Sequence, residues 1–311
     1  MNWNSKTVLV TGGTGSIGRT LVEILLREHA PRGVVVFSRD ELKQLEMRRH
    51  GFDRPRLRYV LGDVRDRDRL RHAAQGVDVV LHVAALKQVQ ACEDNPIEAV
   101  KTNVLGAHNV AEAARDSGVE RVVALSTDKA VNPVSAYGAT KLAAEKLLLE
   151  ANRWGRTRFA CVRCGNVLGS RGSVVEAFLE ERGTGRLTVS DPRMTRFWTT
   201  REAAARLMLR CAQDMQGGEV FVPRLPSMKL LDLARALAPD CQIDVTGIHP
   251  GEKLHEVLLA EDEARYATEE AEVYVIRPPE PGNLPDGFRL ASDTNTRWLQ
   301  ADELRHLLAA E

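Results

Sequence analysis

The alternation of short apolar runs with longer helical segments in the first half of the chain constrains its fold most. Six runs have the length of strands: "TVLVTG", "GVVVFS", "LRYVLGDV", "VDVVLHVAA", "RVVALST" and "RFACVRCG". Helical segments separate them near residues 16–29, 40–49, 66–75, 97–116 and 136–152. Strands that are apolar on both faces and separated by helices are typical of a parallel sheet that helices cover on both sides. The sequence therefore predicts an α/β fold with a Rossmann-type doubly wound parallel sheet, whose ligands lie at the carboxyl ends of the strands.

Charge and cysteine content argue against several kinds of partner. Lysine plus arginine number 43 and aspartate plus glutamate number 43, so nothing indicates a nucleic acid or an anionic membrane surface. We find no run of about 18 apolar residues and no secretory leader, and therefore expect a cytoplasmic protein without a membrane partner. We also expect no metal site, because Cys161 and Cys164 should point to opposite faces of one strand as buried structural thiols.

Three glycines follow the first strand, in "VLVTGGTGSIGRTLVEIL". Gly12, Gly15 and Gly18 would permit a tight turn, a close backbone approach to a pyrophosphate, and close packing of the helix on the strand. A glycine-rich turn alone is a weak signal. Its position between a strand and a helix, at the start of a βαβ series, predicts a dinucleotide-binding site.

The end of the second strand, "VVVFSRDE", bears on the choice between NAD and NADP. An NAD site offers a carboxylate to the ribose 2′-hydroxyl here, whereas this chain has Ser38 and Arg39. A guanidinium can bind a 2′-phosphate through two N–H groups, so the sequence favours NADP. The alternative is a surface arginine, with Asp40 or Glu41 binding the ribose of NAD.

Further candidates fall at the same sheet edge, after the third and fourth strands. Asp63 could bind the adenine amino group, and the small Ala84 and Ala85 leave room for the dinucleotide backbone. Each has an ordinary alternative, since Asp63 could cap a helix and the alanines could simply pack against their neighbours.

Tyr137 and Lys141, in "STDKAVNPVSAYGATK", form an i, i+4 pair on one helix face after the fifth strand. A lysine ammonium beneath the phenol, helped by the cationic nicotinamide, would lower the phenol pKa and let Tyr137 accept a proton from a hydroxyl that is being oxidised. Lys141 would also hold the nicotinamide ribose. In this position the pair predicts the chemistry of short-chain dehydrogenases/reductases.

Asp128 and Lys129 precede this helix, and an ordinary dehydrogenase has no need of them. An adjacent acid and base suit a β-elimination, because a new ketone acidifies the neighbouring C–H: Lys129 could remove that proton and Asp128 could protonate the departing hydroxide. Asp128 must then be protonated, so burial has to outweigh the pull of nearby ammonium groups. The alternative is an aspartate that caps a turn beside a solvated lysine.

The chain as a whole resembles the short, soluble UDP-N-acetylglucosamine 4,6-dehydratases (inverting) of the extended short-chain dehydrogenase/reductase superfamily. The likeness spans nearly the whole sequence and is carried by "TGGTGSIG", "FSRDE", "GDVRD", "HVAALKQV", "NPIEAVKTNVLGAHNV", "LSTDKAVNPVSAYGATKLAAEKL", "GNVLGSRGSVV", "DPRMTRFW", "PSMKLLDLA", "PGEKLHEVL" and "SDTNTRWL". It implies that Tyr137 assists oxidation at C4 of the hexose, that Lys129 takes the C5 proton, and that Asp128 helps to expel the C6 hydroxyl. Hydride would then return to C6, and reprotonation of C5 from the opposite face would invert that centre.

The resemblance also implies the residues of the site and a homo-oligomer that binds a nucleotide sugar, UDP-GlcNAc. The catalytic residues are Thr127, Asp128, Lys129, Tyr137 and Lys141. The residues that bind NADP, or NAD, are Gly12, Thr14, Gly15, Ser16, Ile17, Gly18, Ser38, Arg39, Asp63, Val64, Ala84, Ala85, Lys87, Asn103, Tyr137 and Lys141. The residues that bind substrate are Lys87, Asn166, Arg196, His249 and Glu252.

Two positions depart from the family pattern. Cys164 stands where "RYGNV" is usual, and His249 stands where "RPGEK" would supply an arginine. Loss of a permanent cation in a phosphate-facing loop could change the nucleotide or its affinity. The alternative is that His249 is simply part of the loop surface.

Two other functions compete with dehydration. A 4-epimerase of the same superfamily shares Tyr137 and Lys141 but has no use for Asp128 and Lys129 as an eliminating pair. A non-catalytic NADP-binding regulator is the other alternative, although such proteins commonly lose the tyrosine and lysine pair.

The second half of the chain is less regular, which indicates a smaller C-terminal substrate lobe interleaved with the sheet. We expect an NADP-binding Rossmann domain over residues 1–166, to which residues 199–223 return. The substrate-binding lobe would comprise residues 167–198 and 224–311.

Overall fold

A nine-stranded sheet forms the centre of the computed structural model, which describes residues 1–309. The strands of the chain are β1 (Thr7–Thr11), β2 (Gly33–Ser38), β3 (Leu57–Leu61), β4 (Val79–His82), β5 (Arg121–Leu125), β6 (Arg158–Val162), β7 (Asn166–Val167), β8 (Arg186–Val189), β9 (Thr195–Thr199), β10 (Val220–Pro223), β11 (Ser227–Lys229), β12 (Gln242–Val245), β13 (Val257–Leu259), β14 (Ala267–Glu270), β15 (Val273–Ile276) and β16 (Leu290–Ala291).

Twelve α-helices accompany these strands in the described residues. They are α1 (Ser16–Ile24), α2 (Glu41–Met47), α3 (Arg67–Ala73), α4 (Val89–Asp94), α5 (Pro96–Ala99), α6 (Gly106–Asp116), α7 (Ala136–Glu150), α8 (Val174–Glu181), α9 (Arg201–Asp214), α10 (Leu230–Leu237), α11 (Glu261–Ala264) and α12 (Ala301–Ala309). Short π-helical turns cover Leu25–His29, Arg48–Phe52 and Val100–Leu105, and 3-10 turns cover Trp3–Ser5, Asp128–Ala130, Ala151–Arg153 and Arg182–Thr184. In residues 1–309, no helix has the length and apolar character needed to cross a membrane.

The large sheet runs in the order β14-β15-β10-β6-β5-β4-β1-β2-β3. Strands β1 to β6 and β10 pair in parallel, which confirms the doubly wound fold predicted from the apolar runs. Strands β14 and β15 join the sheet antiparallel, so residues 267–276 extend the large sheet, whereas the sequence analysis assigned them to the substrate lobe. The apolar run "VYVI" of β15 lies between β10 and β14 in the sheet, and all four of its residues are buried.

Helices cover both faces of the sheet, and the alternation of side chains in β1 shows it. Val8 and Val10 are buried with residues of α1 and α9, whereas Leu9 is buried on the other face with residues of α3, α6 and α7. Four of the helices that cover the sheet follow a polar residue whose side chain accepts a hydrogen bond from a first-turn N–H. Such a cap contributes about 1 kcal/mol. These residues are Asp40, Asp66, Ser135 and Thr200, before α2, α3, α7 and α9.

The smaller lobe carries three short sheets, β11-β9-β7, β12-β8 and β13-β16. Helices α8, α10 and α12 pack on the first two of these sheets around a separate apolar core that includes Phe178, Trp198 and Leu233. The buried residues of β13 and β16 join the core of the large sheet instead. The chain enters this lobe directly after β6, at the carboxyl edge of the large sheet. A cleft therefore forms where the ends of the parallel strands meet the lobe.

Candidate active site

A cleft of about 800 Å³ lies at the carboxyl ends of the parallel strands and is closed on its other side by the smaller lobe. Most of the site residues predicted from the sequence line it: Gly12, Thr14, Gly15, Ser16, Ile17, Ser38, Arg39, Asp63, Val64, Ala84, Ala85, Lys87, Thr127, Lys129, Tyr137, Lys141, Asn166, Arg196 and Glu252. Four do not: Gly18, Asn103, Asp128 and His249.

The turn between β1 and α1 has the form of a pyrophosphate cradle. Gly12 has a φ of 66°, and a Cβ there would lie 2.8 Å from the backbone nitrogen of Ala84. Helix α1 begins at Ser16 after Gly15, which contributes no side-chain cap, so the first N–H groups of the helix are left for a ligand. The N-terminus of a helix favours an anion, and these residues therefore fit the phosphates of a nicotinamide dinucleotide. Gly18 lies under the turn, against the backbone of Gly12.

Polar side chains that follow β2 line the part of the cleft where the sequence predicts the adenosine of the dinucleotide. The side chain of Arg39 is 58% exposed and lies 3.7 Å from the carboxylate of Asp63. Asp40 accepts a hydrogen bond of 3.0 Å from the backbone of Lys43 and forms an ion pair of 3.0 Å with its amine. Asp40 is therefore already occupied as a helix cap, which weakens the alternative in which it binds the ribose.

Asp63 lines the cleft but is held by a neighbouring arginine. Its carboxylate accepts hydrogen bonds from the backbone and guanidinium of Arg65, at 2.9 Å and 2.7 Å. The helix-cap alternative for Asp63 is wrong, because Asp66 caps α3.

Asn103 supports the cleft from behind and does not line it. Its amide accepts a hydrogen bond of 2.8 Å from the N–H of Leu86 and donates one of 2.9 Å to the C=O of the same residue. It also donates to the hydroxyl of Thr140 on α7. Asn103 therefore fixes the segment after β4, which contains Ala84 and Ala85.

Tyr137 and Lys141 lie on the first turns of α7, which reaches the cleft because Gly138 packs against the carbonyl of Lys129. Burial raises the pKa of Tyr137 to about 12, and the nearby Lys129 ammonium and Thr127 hydroxyl only partly oppose this. Lys141 donates to the carbonyl of Leu125 at 2.8 Å, and burial lowers its pKa. Lys129 is thus a second cation that lowers the pKa of Tyr137, and the effect expected of Lys141 together with a bound nicotinamide stays a prediction.

The Asp128–Ala130 turn after β5 brings an acid and a base together, as predicted. The Lys129 amine lies 3.1 Å from the carboxylate of Asp128 and 3.1 Å from the amide oxygen of Asn166. Asp128 is fully buried, and its Oδ1 also accepts a hydrogen bond of 2.9 Å from the hydroxyl of Thr127. Lys129 is not a solvated lysine, because its side chain is only 22% exposed.

A third ionisable group, Glu256, completes this cluster and was missed by the sequence analysis. Its carboxylate is buried 3.3 Å from the Lys129 amine, 3.4 Å from the Lys253 amine and 4.0 Å from the Arg196 guanidinium. Glu256 belongs to "PGEKLHEVL", a stretch quoted for its resemblance alone. The only local signal was a carboxylate in front of the apolar run "VLL", where burial demands a charged partner.

The ionisation of the cluster follows from its burial and its charges. Burial raises the pKa of Asp128, the negative charge of Glu256 adds to this rise, and together they outweigh the Lys129 ammonium. Burial opposes the charged form of Lys129, but the carboxylates of Asp128 and Glu256 prevail and raise its pKa. Burial would likewise raise the pKa of Glu256, yet Lys129, Arg196 and Lys253 lower it. The pKa of Asp128 is therefore raised above its usual value, which is the direction that the proposed elimination needs, while its protonation stays a prediction.

The substrate side of the cleft contains most of the residues that the resemblance suggested. Arg196 on β9 is buried, and its guanidinium donates to the carbonyl of Thr195 at 2.8 Å. Glu252 accepts hydrogen bonds from the Ser190 hydroxyl and from the backbone N–H of His249. The His249 side chain is exposed outside the cleft, which agrees with the alternative that it is loop surface.

Lys87 connects the two sides of the cleft. Its amine donates to the carbonyl of Arg171 at 2.7 Å and to the hydroxyl of Ser170 at 3.4 Å, and burial lowers its pKa.

Cys164 also lines the cleft, and its carbonyl accepts a hydrogen bond from the N–H of Asp128. Burial, together with the nearby Asp128, raises the pKa of the Cys164 thiol to about 12, so it stays protonated. Within residues 1–309, no group of three or more His, Cys, Asp or Glu side chains is arranged to hold a metal ion.

A family model described as "Polysaccharide biosynthesis protein" matches residues 8–278. A UDP-N-acetylglucosamine 4,6-dehydratase (inverting) from Campylobacter jejuni is 44% identical over 98% of this chain and 98% of its own length. A UDP-glucose 4-epimerase from Rickettsia massiliae is 39% identical over 87% of this chain and 82% of its own. The X-ray structure of Pen from Bacillus thuringiensis superposes with a TM-score of 0.94 at 37% identity, covering 100% of this chain and 98% of that one.

Proposed function

This chain belongs to the polysaccharide biosynthesis protein family and to the UDP-N-acetylglucosamine 4,6-dehydratases (inverting), and we propose that its cleft removes water from a nucleotide-linked hexose. The protein is an enzyme, an NDP-sugar 4,6-dehydratase of the hydro-lyase class that uses a nicotinamide cofactor. One observation supports the assignment of this reaction to specific residues. Asp128 and Lys129 are in contact at the floor of the cleft, beside Tyr137.

The reaction needs a proton acceptor for the hydroxyl at C4 and a base for the hydrogen at C5. A nicotinamide dinucleotide, when bound, would supply the hydride acceptor for C4 and the hydride donor for C6. Tyr137 accepts the proton of the C4 hydroxyl as a phenolate, a form that the Lys129 ammonium and the positive charge of a bound nicotinamide would favour against the effect of burial. Lys141 would hold the nicotinamide ribose. The ketone at C4 then acidifies the C5 hydrogen, which Lys129 removes.

Lys129 must lose its own proton before it can take another. The raised pKa of Lys129 means that the resting amine is an ammonium, and Asp128 is the carboxylate that receives this proton across 3.1 Å. Asp128 does not itself reach the cleft, but Thr127 lines the cleft and its hydroxyl is hydrogen-bonded to Asp128. The proton that leaves with the C6 hydroxyl therefore passes from Asp128 through the hydroxyl of Thr127. Lys129 finally returns a proton to C5 from the opposite face, which inverts that centre.

The cofactor is NADP rather than NAD in this proposal. Arg39 lies at the end of β2 with most of its side chain exposed toward the cleft, and can bind a 2′-phosphate with two N–H groups. Asp40, the carboxylate that an NAD site would need, already caps α2.

The substrate is UDP-GlcNAc in this proposal, and the product is UDP-2-acetamido-2,6-dideoxy-4-keto-hexose. Arg196 supplies a buried cation for the pyrophosphate and Asn166 a polar group for the sugar, while Glu252 binds ribose hydroxyls. The protein acts as a homo-oligomer, which light scattering coupled to size-exclusion chromatography tests.

The decisive experiment follows the mass and the C5 hydrogen of the product. Wild-type protein with NADP⁺ and UDP-GlcNAc in D2O should yield a product that has lost one water and carries deuterium at C5, with proton coupling constants that report the inverted configuration. A matched incubation with Lys129→Met should yield neither water loss nor deuterium, while a Kd for NADP⁺ close to that of wild type shows that the cofactor site is intact.

A 4-epimerase is the competing activity, because the Rickettsia relative carries that name. An epimerase gives a product of unchanged mass and leaves hydrogen at C5. A mass-neutral product from UDP-GlcNAc and from UDP-glucose would replace the dehydratase proposal with this one.

A further inference from the structure

Glu256 is an ionisable group beside Lys129 to which the proposed reaction gives no task. It lines the cleft, yet its residue is only 1% exposed. Its backbone N–H donates to the Ser292 hydroxyl at 2.9 Å, and this hydroxyl is bound in turn to Thr195 beside Arg196. These bonds fix the backbone at Glu256, while its carboxylate is held by ion pairs with the Lys129 and Lys253 amines at 3.3 Å and 3.4 Å.

Every charged group that faces Glu256 belongs to the same small cluster. The Asp128–Ala130 turn contributes Lys129 and, behind it, Asp128; β9 contributes Arg196; and the segment of Glu256 itself contributes Lys253. With Glu256 ionised, three cations face two carboxylates. Without it, three cations face the buried carboxylate of Asp128 alone.

We propose that Glu256 is a positioning residue of the dehydration, which holds the Lys129 ammonium at the cleft and sets how many protons the Asp128–Lys129 pair carries. The inference rests on the proposed function and deepens it. Glu256 lies 3.3 Å from the Lys129 amine and is a second carboxylate beside it, so the amine remains fixed beside Asn166 even when Asp128 has accepted its proton. The base therefore keeps its position throughout the transfer.

The charges give the proposal a direction that can be measured. The negative charge of Glu256, 3.3 Å from the Lys129 amine, favours the protonated forms of Lys129 and Asp128. Its removal therefore lowers the pKa of both groups. The pair loses its shared proton at a lower pH in consequence. A residue that only filled space would leave the pH dependence where it was.

The first test is the pH profile of the isosteric variant Glu256→Gln. The rates of UDP-GlcNAc dehydration and of deuterium entry at C5 are measured against pH. The limbs of both pH–rate profiles should lie lower than in wild type by about one pH unit or more. We expect kcat to fall by roughly 10- to 100-fold and KM to change by less than about threefold, since general acid and base groups typically contribute 10²–10⁴-fold. Limbs that stay at the wild-type pH would overturn the proposal.

Two matched variants separate charge from shape. Glu256→Asp keeps the negative charge and should keep the wild-type pH limbs with a reduced rate; limbs displaced as in Glu256→Gln would count against a charge effect. Glu252→Gln removes the same charge from the same segment, but Glu252 is bound to Ser190 and to the backbone of His249. It should raise KM and leave the limbs in place.

A second readout requires no turnover. In protein labelled with 15N-lysine, the Nζ signal of Lys129 is the one that disappears in Lys129→Met. Its titration should move to lower pH in Glu256→Gln, and an unmoved titration would refute the role of Glu256 even in an inactive protein. If this shift appears but wild-type protein releases no water from any nucleotide sugar, the proposed function fails. The effect of Glu256 on the protonation of Lys129 then still stands.

Discussion

Arg163 is the residue whose replacement should damage the protein most without touching the cleft. It extends from the end of β6 into the interior, where its guanidinium binds Glu145 of α7 at 3.0 Å and Glu263 of α11 at 2.6 Å. It also donates to the carbonyl of Leu258 at 3.0 Å. Arg163→Met keeps most of the side-chain volume and removes all of these hydrogen bonds.

The magnitude follows from what the substitution leaves behind. The side chain of Glu145 is 2% exposed, so it would remain as a buried carboxylate without its cation. Removal of one partner from such a pair costs about 3–5 kcal/mol. A typical domain has a free energy of unfolding of about 5–15 kcal/mol, so the loss is a large share of the total. We therefore expect a decrease in Tm of roughly 5–8 °C.

Urea denaturation followed by circular dichroism measures this loss, because urea, unlike guanidinium, adds no salt that would screen the ion pairs. Arg186→Met is the matched control. The ion pair of Arg186 with Asp244 has a similar length, 2.7 Å, but the two side chains are 58% and 35% exposed, so the loss should stay below about 1 kcal/mol. The double variant Arg163→Met/Glu145→Leu should recover much of the stability. Equal losses in Arg163→Met and Arg186→Met would refute the reasoning.

The same pair predicts a pH dependence. Burial opposes ionisation of Glu263, but the Arg163 guanidinium prevails and holds the pKa of that carboxyl below its usual value. A carboxyl whose pKa is lower in the folded state stabilises the fold above its unfolded pKa of about 4.3, and this contribution is lost as the pH falls through the folded value. The difference in stability between wild type and Arg163→Met should therefore be largest near neutral pH and shrink below about pH 4.

Three further variants test the cleft. Gly12→Ala puts a Cβ 2.8 Å from the backbone of Ala84 at a φ of 66°, so NADP⁺ affinity by calorimetry should fall at least about tenfold, and an unchanged Kd would contradict the cradle. Arg39→Ala should weaken NADP⁺ roughly 10- to 100-fold while NAD⁺ affinity hardly changes, and equal effects on both would count against NADP. Tyr137→Phe should lower kcat by about 10²–10⁴-fold and abolish deuterium entry at C5, whereas retained exchange would show that Tyr137 is not needed to form the ketone.

The parts of the fold and the site that are local in sequence could be predicted from the sequence. The glycine turn after β1 and the Tyr137–Lys141 pair depend on spacings of a few residues, and both lie where the spacing indicated. Glu256 could not be found in this way, because its role depends on Lys129 and Arg196, which belong to distant segments. A sequence also does not show how deeply a side chain is buried. Asp128 was therefore expected in the cleft, whereas it lies behind the residues that line it.

The return of residues 267–276 to the large sheet has a consequence for how the protein is made. Strand β15 pairs with β10, and β14 pairs with β15, so this edge of the sheet cannot close until residues 267–276 have left the ribosome. Val220 to Pro223 of β10 would meanwhile present an unpaired edge to other nascent chains. Protection of this edge during synthesis, for example by a chaperone, should therefore raise the yield of active enzyme.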